Sequence, residues 1–296
     1  MGCNQCPRKC NKERREGDTA SYGYCQVSVR PKVARAALHF WEEPCISGEE
    51  GSGTVFFSGC NLRCVYCQNR EIAAGVRGKE ISVERLAEIF LELQEKGANN
   101  INLVTPSHYY MQIKEALLLV KEKLHIPVIS NTSSYESVEE LKKMEGLIDI
   151  YIADYKYASR ELAAKYSHAE DYPQVAAEAL SEMFRQVGEP EFDERGMMKK
   201  GMIVRHLLLP GCEEDSKAVL KFLYETFGDS VFISIMNQYT PLSHVEGYPE
   251  LNRRITEEEY EEVVDYAIEL GIENGFIQEG ETAEESFIPA FDGEGV

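Results

Sequence analysis

An α/β fold with a parallel sheet is predicted by two observations: six apolar runs of strand length recur along the 296-residue chain, and amphipathic helical stretches alternate with them. The first run is Thr54 to Phe57. Between it and the second, Ile101 to Val104, Ser82 is placed to cap a helix bearing Leu86, Ile89, Phe90 and Leu93 at i, i+3, i+4, i+7, which Gly97 ends. The remaining runs are Ile126 to Ile129, Ile148 to Ala153, Met202 to Leu209 and Val231 to Met236. Helices are expected after the second, third and fifth strands, and the stretch from Ser159 to Val187 has room for two. Near the end, Thr256-Glu257-Glu258-Glu259 forms a capping box, and Tyr260, Val263, Val264 and Ala267 make an apolar stripe that stops at Gly271. Periodicity does not choose between a closed barrel and an open sheet.

Composition narrows the class. The chain is long enough to bury a substantial core as one large α/β domain, with or without an appendage. A net charge of -20 argues against nucleic-acid partners, because neutralising phosphates takes basic surface. No apolar run has the length of a membrane span and no signal-type stretch is present, so a cytoplasmic enzyme is expected. Met1-Gly2-Cys3 begins like an acylation signal, but position 6 is Cys rather than Ser or Thr. Nine cysteines are an odd number with metal-like spacings, which favours thiol-ligated metal in a reducing, anaerobic cytosol over disulfides.

The strongest motif follows the first strand. Cys60, Cys64 and Cys67 stand at C-x3-C-x2-C in Phe56-Phe57-Ser58-Gly59-Cys60-Asn61-Leu62-Arg63-Cys64-Val65-Tyr66-Cys67-Gln68-Asn69. Three thiolates on a short loop can converge on one soft metal centre, and an iron–sulfur cube held by three cysteines keeps one iron open to a non-protein ligand. The other strand ends are also polar: Thr105-Pro106-Ser107-His108 after the second, Ser130-Asn131-Thr132 after the third, Asp154-Tyr155-Lys156 after the fourth, Arg205-His206 on the fifth and Asn237-Gln238-Tyr239 after the sixth. Asp154 and Lys156, two apart on an extended segment, can point to the same side. Arg205 inside an apolar run needs a buried partner.

The cysteine loop resembles that of the radical S-adenosylmethionine superfamily, and the longer string is similar to the pyruvate formate-lyase activating enzyme branch, especially its less characterised homologues. The resemblance implies a partial (β/α)6 TIM-like barrel over residues 51–296, behind a cysteine-rich N-terminal extension over residues 1–50. It implies a [4Fe-4S] cluster on Cys60, Cys64 and Cys67, with S-adenosylmethionine on the open iron. Tyr66 would lie against the adenine, Asp154 and Lys156 would meet the ribose and carboxylate, and Arg205, before Leu207-Leu208-Leu209-Pro210-Gly211, would face the carboxylate. The branch has Gly-Gly-Glu after the second strand, whereas this chain has Val104-Thr105-Pro106-Ser107-His108. Thr105 and Ser107 are the polar groups that can offer oxygens there, Asn131 after the third strand is a further expected cofactor contact, and recognition of the amino group departs from the branch.

In activating enzymes, a low-potential donor such as flavodoxin or ferredoxin supplies an electron, and the resulting 5'-deoxyadenosyl radical takes hydrogen from a glycine of a partner protein. Three readings follow: such an activase, a radical enzyme acting on a small molecule or another protein side chain, and a non-enzymatic iron–sulfur carrier. Outside the barrel motif, Cys3, Cys6 and Cys10 at C-x2-C-x3-C, with Cys25, suit zinc or a second iron–sulfur cluster. Cys45 could join or replace one of them. Cys212 is read as a packed free thiol, and His108 either faces the substrate or is a cap or core residue.

Overall fold

A computed structural model describes residues 2–242, 245–278 and 289–296. Strand β1 (Lys32–His39) pairs antiparallel with β2 (Ser52–Phe57) and, over two residues, with β3 (Lys79–Glu80). From β2 the sheet continues through parallel neighbours β4 (Ile101–Val104), β5 (Val128–Thr132), β6 (Ile150–Asp154), β8 (Met198–Leu207) and β9 (Phe232–Met236) to β10 (Gly275–Ile277); β7 (Glu191–Phe192) forms a hairpin with β8. All six anticipated strands are present, and the sheet is the partial barrel that the resemblance implied.

Differences from the sequence reading have local causes. The third strand starts at Val128 rather than Ile126 because Pro127 has no amide to give the ladder, while the Val128 amide is met by the Asp149 carboxylate at 2.8 Å. The fifth starts four residues early, as the second arm of the β7 hairpin. Strand β1 went unseen because Ala34, Ala36 and Ala37 give it weak β propensity. Its pairing with β3 stops at Val33, and the C-terminal segment completes that edge: the Ala36 amide donates to the Glu294 carbonyl at 2.9 Å and Gly293 to Ala34 at 3.1 Å.

The helices are α1 (Pro44–Ser47), α2 (Arg70–Ala73), α3 (Val83–Glu95), α4 (Tyr110–Val120), α5 (Val138–Lys142), α6 (Arg160–Ser167), α7 (Tyr172–Val187), α8 (Glu213–Phe227) and α9 (Glu257–Leu270). Ser82 caps α3 by accepting from Arg85, and Leu86, Ile89, Phe90 and Leu93 are buried as expected. The α9 capping box is formed, with Val263 and Ala267 buried. A large apolar cluster fills the space between helices and sheet, including Val55, Leu103, Tyr151, Val204 and Ile233. A smaller one comprises Ile129, Ile150, Ile152, Met198 and Ile203 from alternating strand positions, together with Ile46 of α1. Residues 43–47 thus plug the inside of the barrel, and Ile46 has no exposed surface.

Candidate active site

The loop after β2 is held from below. Gly59 has φ of +90°, and a Cβ there would stand 2.6 Å from the Cys25 carbonyl, so only glycine fits between the cluster loop and the N-terminal arm. Just before it, the Ser58 carbonyl bonds His108 Nε2 at 2.8 Å. His108 is buried, and burial pulls its imidazole down to about 3, so it is a neutral core residue and does not line the cavity. Past Gly59, the Leu62 and Arg63 amides donate to Cys60 Sγ at 3.3 and 3.4 Å, with Arg63 in the left-handed region at φ +60°. Ser167 Oγ donates to Cys64 Sγ at 3.0 Å. Burial pushes the Cys67 thiol up to about 12 and raises Cys60 as well, opposed by those amides and by Lys156. Such thiols ionise when a cation takes the proton's place.

One cavity of about 460 Å³ is lined by Cys60, Cys64, Cys67, Tyr66, Thr105, Asn131, Asp154, Lys156 and Arg205. Ser107 is a correction: it is buried in the single turn Ser107–Tyr109 and is absent from the lining, because the chain turns away at Thr105. Thr105 itself has φ of +57°, a left-handed conformation that costs a β-branched residue. Its amide donates to the Asn131 carbonyl at 2.8 Å, joining the ends of β4 and β5.

Asp154 and Lys156 do share a side, with Lys156 Nζ 2.6 Å from Asp154 Oδ2. Burial alone would lower the lysine, but Asp154, Cys64 and Cys67 outweigh it and keep the ammonium charged. Tyr172 secures this segment: its hydroxyl accepts from the Lys156 amide at 2.9 Å and lies 3.0 Å from the Asp154 carbonyl. Tyr66 is buried, and its hydroxyl accepts from Tyr157 at 2.7 Å.

At the cavity floor, Arg205 donates through Nε and Nη2 to Glu43 at 2.8 and 2.5 Å, and through Nη2 to Glu42 at 2.5 Å. Asn102 Nδ2 supports Glu42 at 2.8 Å. Burial opposes the charges on Arg205 and Glu43, yet their attraction prevails, raising the guanidinium and lowering the carboxyl. Arg205 Nη1 makes no hydrogen bond among the described residues. The sequence reading missed Glu42 and Glu43 as site residues; their one signal was a pair of acids before a proline, upstream of an arginine needing a partner. Cys45 lies in the plug and Cys212 caps α8, and neither lines the cavity.

The residues fit a cluster and its cofactor: three thiols, two of them receiving amide or hydroxyl hydrogen bonds at sulfur, face an acid and an ammonium across one cavity. Residues 54–188 match the family described as the Radical SAM superfamily. The chain is 26% identical over 278 residues to an uncharacterized protein of Methanocaldococcus jannaschii, covering 90% of this chain and 74% of that one. Its fold is similar to Streptococcus suis SuiB bound to S-adenosylmethionine, at TM-score 0.52 and 14% identity, covering 78% of this chain and 51% of that chain. It is also similar to HydG, a maturase of the [FeFe]-hydrogenase, at TM-score 0.51 and 16% identity, covering 74% and 49%. The chain thus spans about half the length of these two solved proteins. Among the described residues no helix is long and apolar enough to cross a membrane. From residue 54 to residue 188, the stretch that holds the cysteine loop and the Asp154–Lys156 segment, the chain matches the Radical SAM superfamily, a class whose members bind a [4Fe-4S] cluster and S-adenosylmethionine.

Proposed function

We propose that this chain is a radical S-adenosylmethionine enzyme that abstracts a hydrogen atom from a group presented to the cavity, with a glycine of a partner protein as the first reading. The observation that carries it is the meeting of three thiols, an acid–ammonium pair and a fixed polar floor in one cavity. Cys60, Cys64 and Cys67 hold the cluster. When bound, cluster and cofactor supply a 5'-deoxyadenosyl radical after one-electron reduction by a flavodoxin- or ferredoxin-type donor.

The chain's own part is placement and exclusion of water. Asp154 accepts from ribose hydroxyls, while Lys156 offsets negative charge beside the thiolates and the cofactor carboxylate. Tyr66, with its hydroxyl tied to Tyr157, presents a ring face to the adenine. Arg205 Nη1 is available to a carboxylate, and Thr105 and Asn131 offer oxygen acceptors at the ends of β4 and β5. A second reading, a small polar substrate, is favoured by the Arg205–Glu42–Glu43 floor, because ordered buried charges suit a ligand of fixed shape.

Anaerobic incubation of reconstituted protein with dithionite and S-adenosylmethionine should release 5'-deoxyadenosine, and a Cys60, Cys64 and Cys67 triple Ala variant should release none. Normal cleavage by that variant would overturn the reading. A glycyl radical signal in a co-purifying partner would separate the activase from the small-molecule enzyme.

A further inference from the structure

The N-terminal arm is ordered without an apolar core of its own. From residue 2 to residue 26 the buried residues are Cys6, Gly23 and Cys25, and all nine cysteines are free thiols. Something other than aliphatic burial must hold it, since so short a segment cannot repay its ordering entropy with hydrogen bonds alone. Its backbone makes two tight turns that bring the thiols together. The Lys9 amide donates to the Cys6 carbonyl at 3.0 Å, with Lys9 at φ +41°, and the Gln26 amide donates to Gly23 at 3.0 Å, forming the turn that carries Cys25. Cys3 is tied back to this unit by its amide on Lys12 at 2.7 Å and by the Asn11 amide on its carbonyl at 3.0 Å. The two turns touch: a Cβ at Gly23 would stand only 2.7 Å from Cys10 Sγ.

Arg8 lies between Cys6 and Cys10, and its guanidinium reaches the loop that carries the cluster cysteines. Nε donates to the Asn61 carbonyl at 2.8 Å, Nη1 to His168 at 2.5 Å and Nη2 to Ser167 at 3.1 Å. Asn61 sits between Cys60 and Cys64, and Ser167 is the residue whose hydroxyl bonds Cys64 Sγ. The same guanidinium stacks on Tyr24, 4.2 Å from its ring centre, one residue before Cys25.

We propose that Cys3, Cys6, Cys10 and Cys25 form a tetrathiolate zinc site whose closure fixes Arg8 on the cluster loop. Four thiols close the coordination shell of zinc with no open position, which is the structural rather than the catalytic arrangement, and the C-x2-C turn has the spacing of such sites. Among the described residues no three metal-binding side chains stand at ligand spacing, and that includes Cys60, Cys64 and Cys67, so both sets need their sulfurs to rotate inward to close on metal. Zinc binding supplies the free energy that the missing core does not.

The test uses the full chain with its cluster cysteines replaced (Cys60→Ala, Cys64→Ala, Cys67→Ala), so that only the N-terminal set can take metal. One zinc per chain by elemental analysis, and thiolate-to-cobalt charge-transfer bands on titration with Co²⁺, are expected; Cys6→Ser together with Cys25→Ser should lose both. No stoichiometric metal, or four irons with sulfide at these thiols after reconstitution, would overturn the zinc assignment. In the otherwise wild-type chain, Arg8→Leu should keep the zinc but raise the rate of cluster loss to a chelator severalfold. Unchanged loss would remove the link between the two sites. These readouts need no catalytic turnover, so they stand or fall apart from the proposed reaction.

Discussion

Asp154 has one oxygen on Lys156 and faces the same cavity as the three thiols. Asp154→Asn keeps the shape but removes the charge, and charge-assisted hydrogen bonds contribute about 1.5–3 kcal/mol. S-adenosylmethionine affinity should fall roughly ten- to a hundredfold, at 1.4 kcal/mol per decade, while the cluster's own spin signal persists. Titrating that signal with the cofactor checks it, and equal affinity in both proteins would take Asp154 off the ribose. The cysteine triad, Asp154 and Lys156 were legible because their spacing is local: one loop or one extended step places them. Arg205 was legible only as a residue in need of a partner, because Glu43 is 162 positions away and nothing in a linear pattern connects them. Ser107 was misplaced because a sequence does not show that Thr105 turns left-handed and carries the next residues inward.

The segment after β5 contains the clearest pH-sensitive element. Glu136 is buried, it accepts from the Thr132 hydroxyl, and desolvation raises its carboxyl to about 7, with Thr132 and Tyr110 opposing the rise. Its pKa is higher folded than unfolded, so its contribution is full below the unfolded value near 4.5 and is lost as pH rises through about 7. Above that, burying the charged form costs about 3 kcal/mol. Glu136→Gln should therefore melt higher than wild type at pH 8.5, with the difference closing by pH 5; thermal unfolding at the two pH values measures it. At this scale the sequence was most readable. Helices α3 and α9 start at the caps that Ser82 and Thr256 predict, since capping is decided within four residues. Strands β1 and β10 were not readable, because β1 is alanine-rich and β10 is three residues long; the sheet around them, rather than their own composition, makes them strands.

On the scale of the whole molecule, the plug joins the chain's beginning to the middle of its sheet. Arg205→Met would leave Glu42 and Glu43 buried without their counter-ion, a loss of about 3–5 kcal/mol. Adding Glu42→Gln and Glu43→Gln should restore most of it, because the cost lies in the orphaned charges rather than in the lost bond. Urea unfolding of the metal-free single and triple variants gives both numbers, and an Arg205→Met protein of wild-type stability would mean that the floor is solvated.

The plug also sets an order of events during synthesis. Glu42, Glu43 and Ile46 leave the ribosome before any parallel strand, yet their partners on β8 follow more than 150 residues later. Until then the two acids lack their guanidinium and Ile46 has only the β5 and β6 part of its cluster, so the floor is completed late. Contacts of such long range slow folding and prolong the exposure of a half-made sheet. The cysteine loop, complete by residue 67, is by contrast ready early, and its thiols must wait, reduced and reachable, while the rest of the barrel forms.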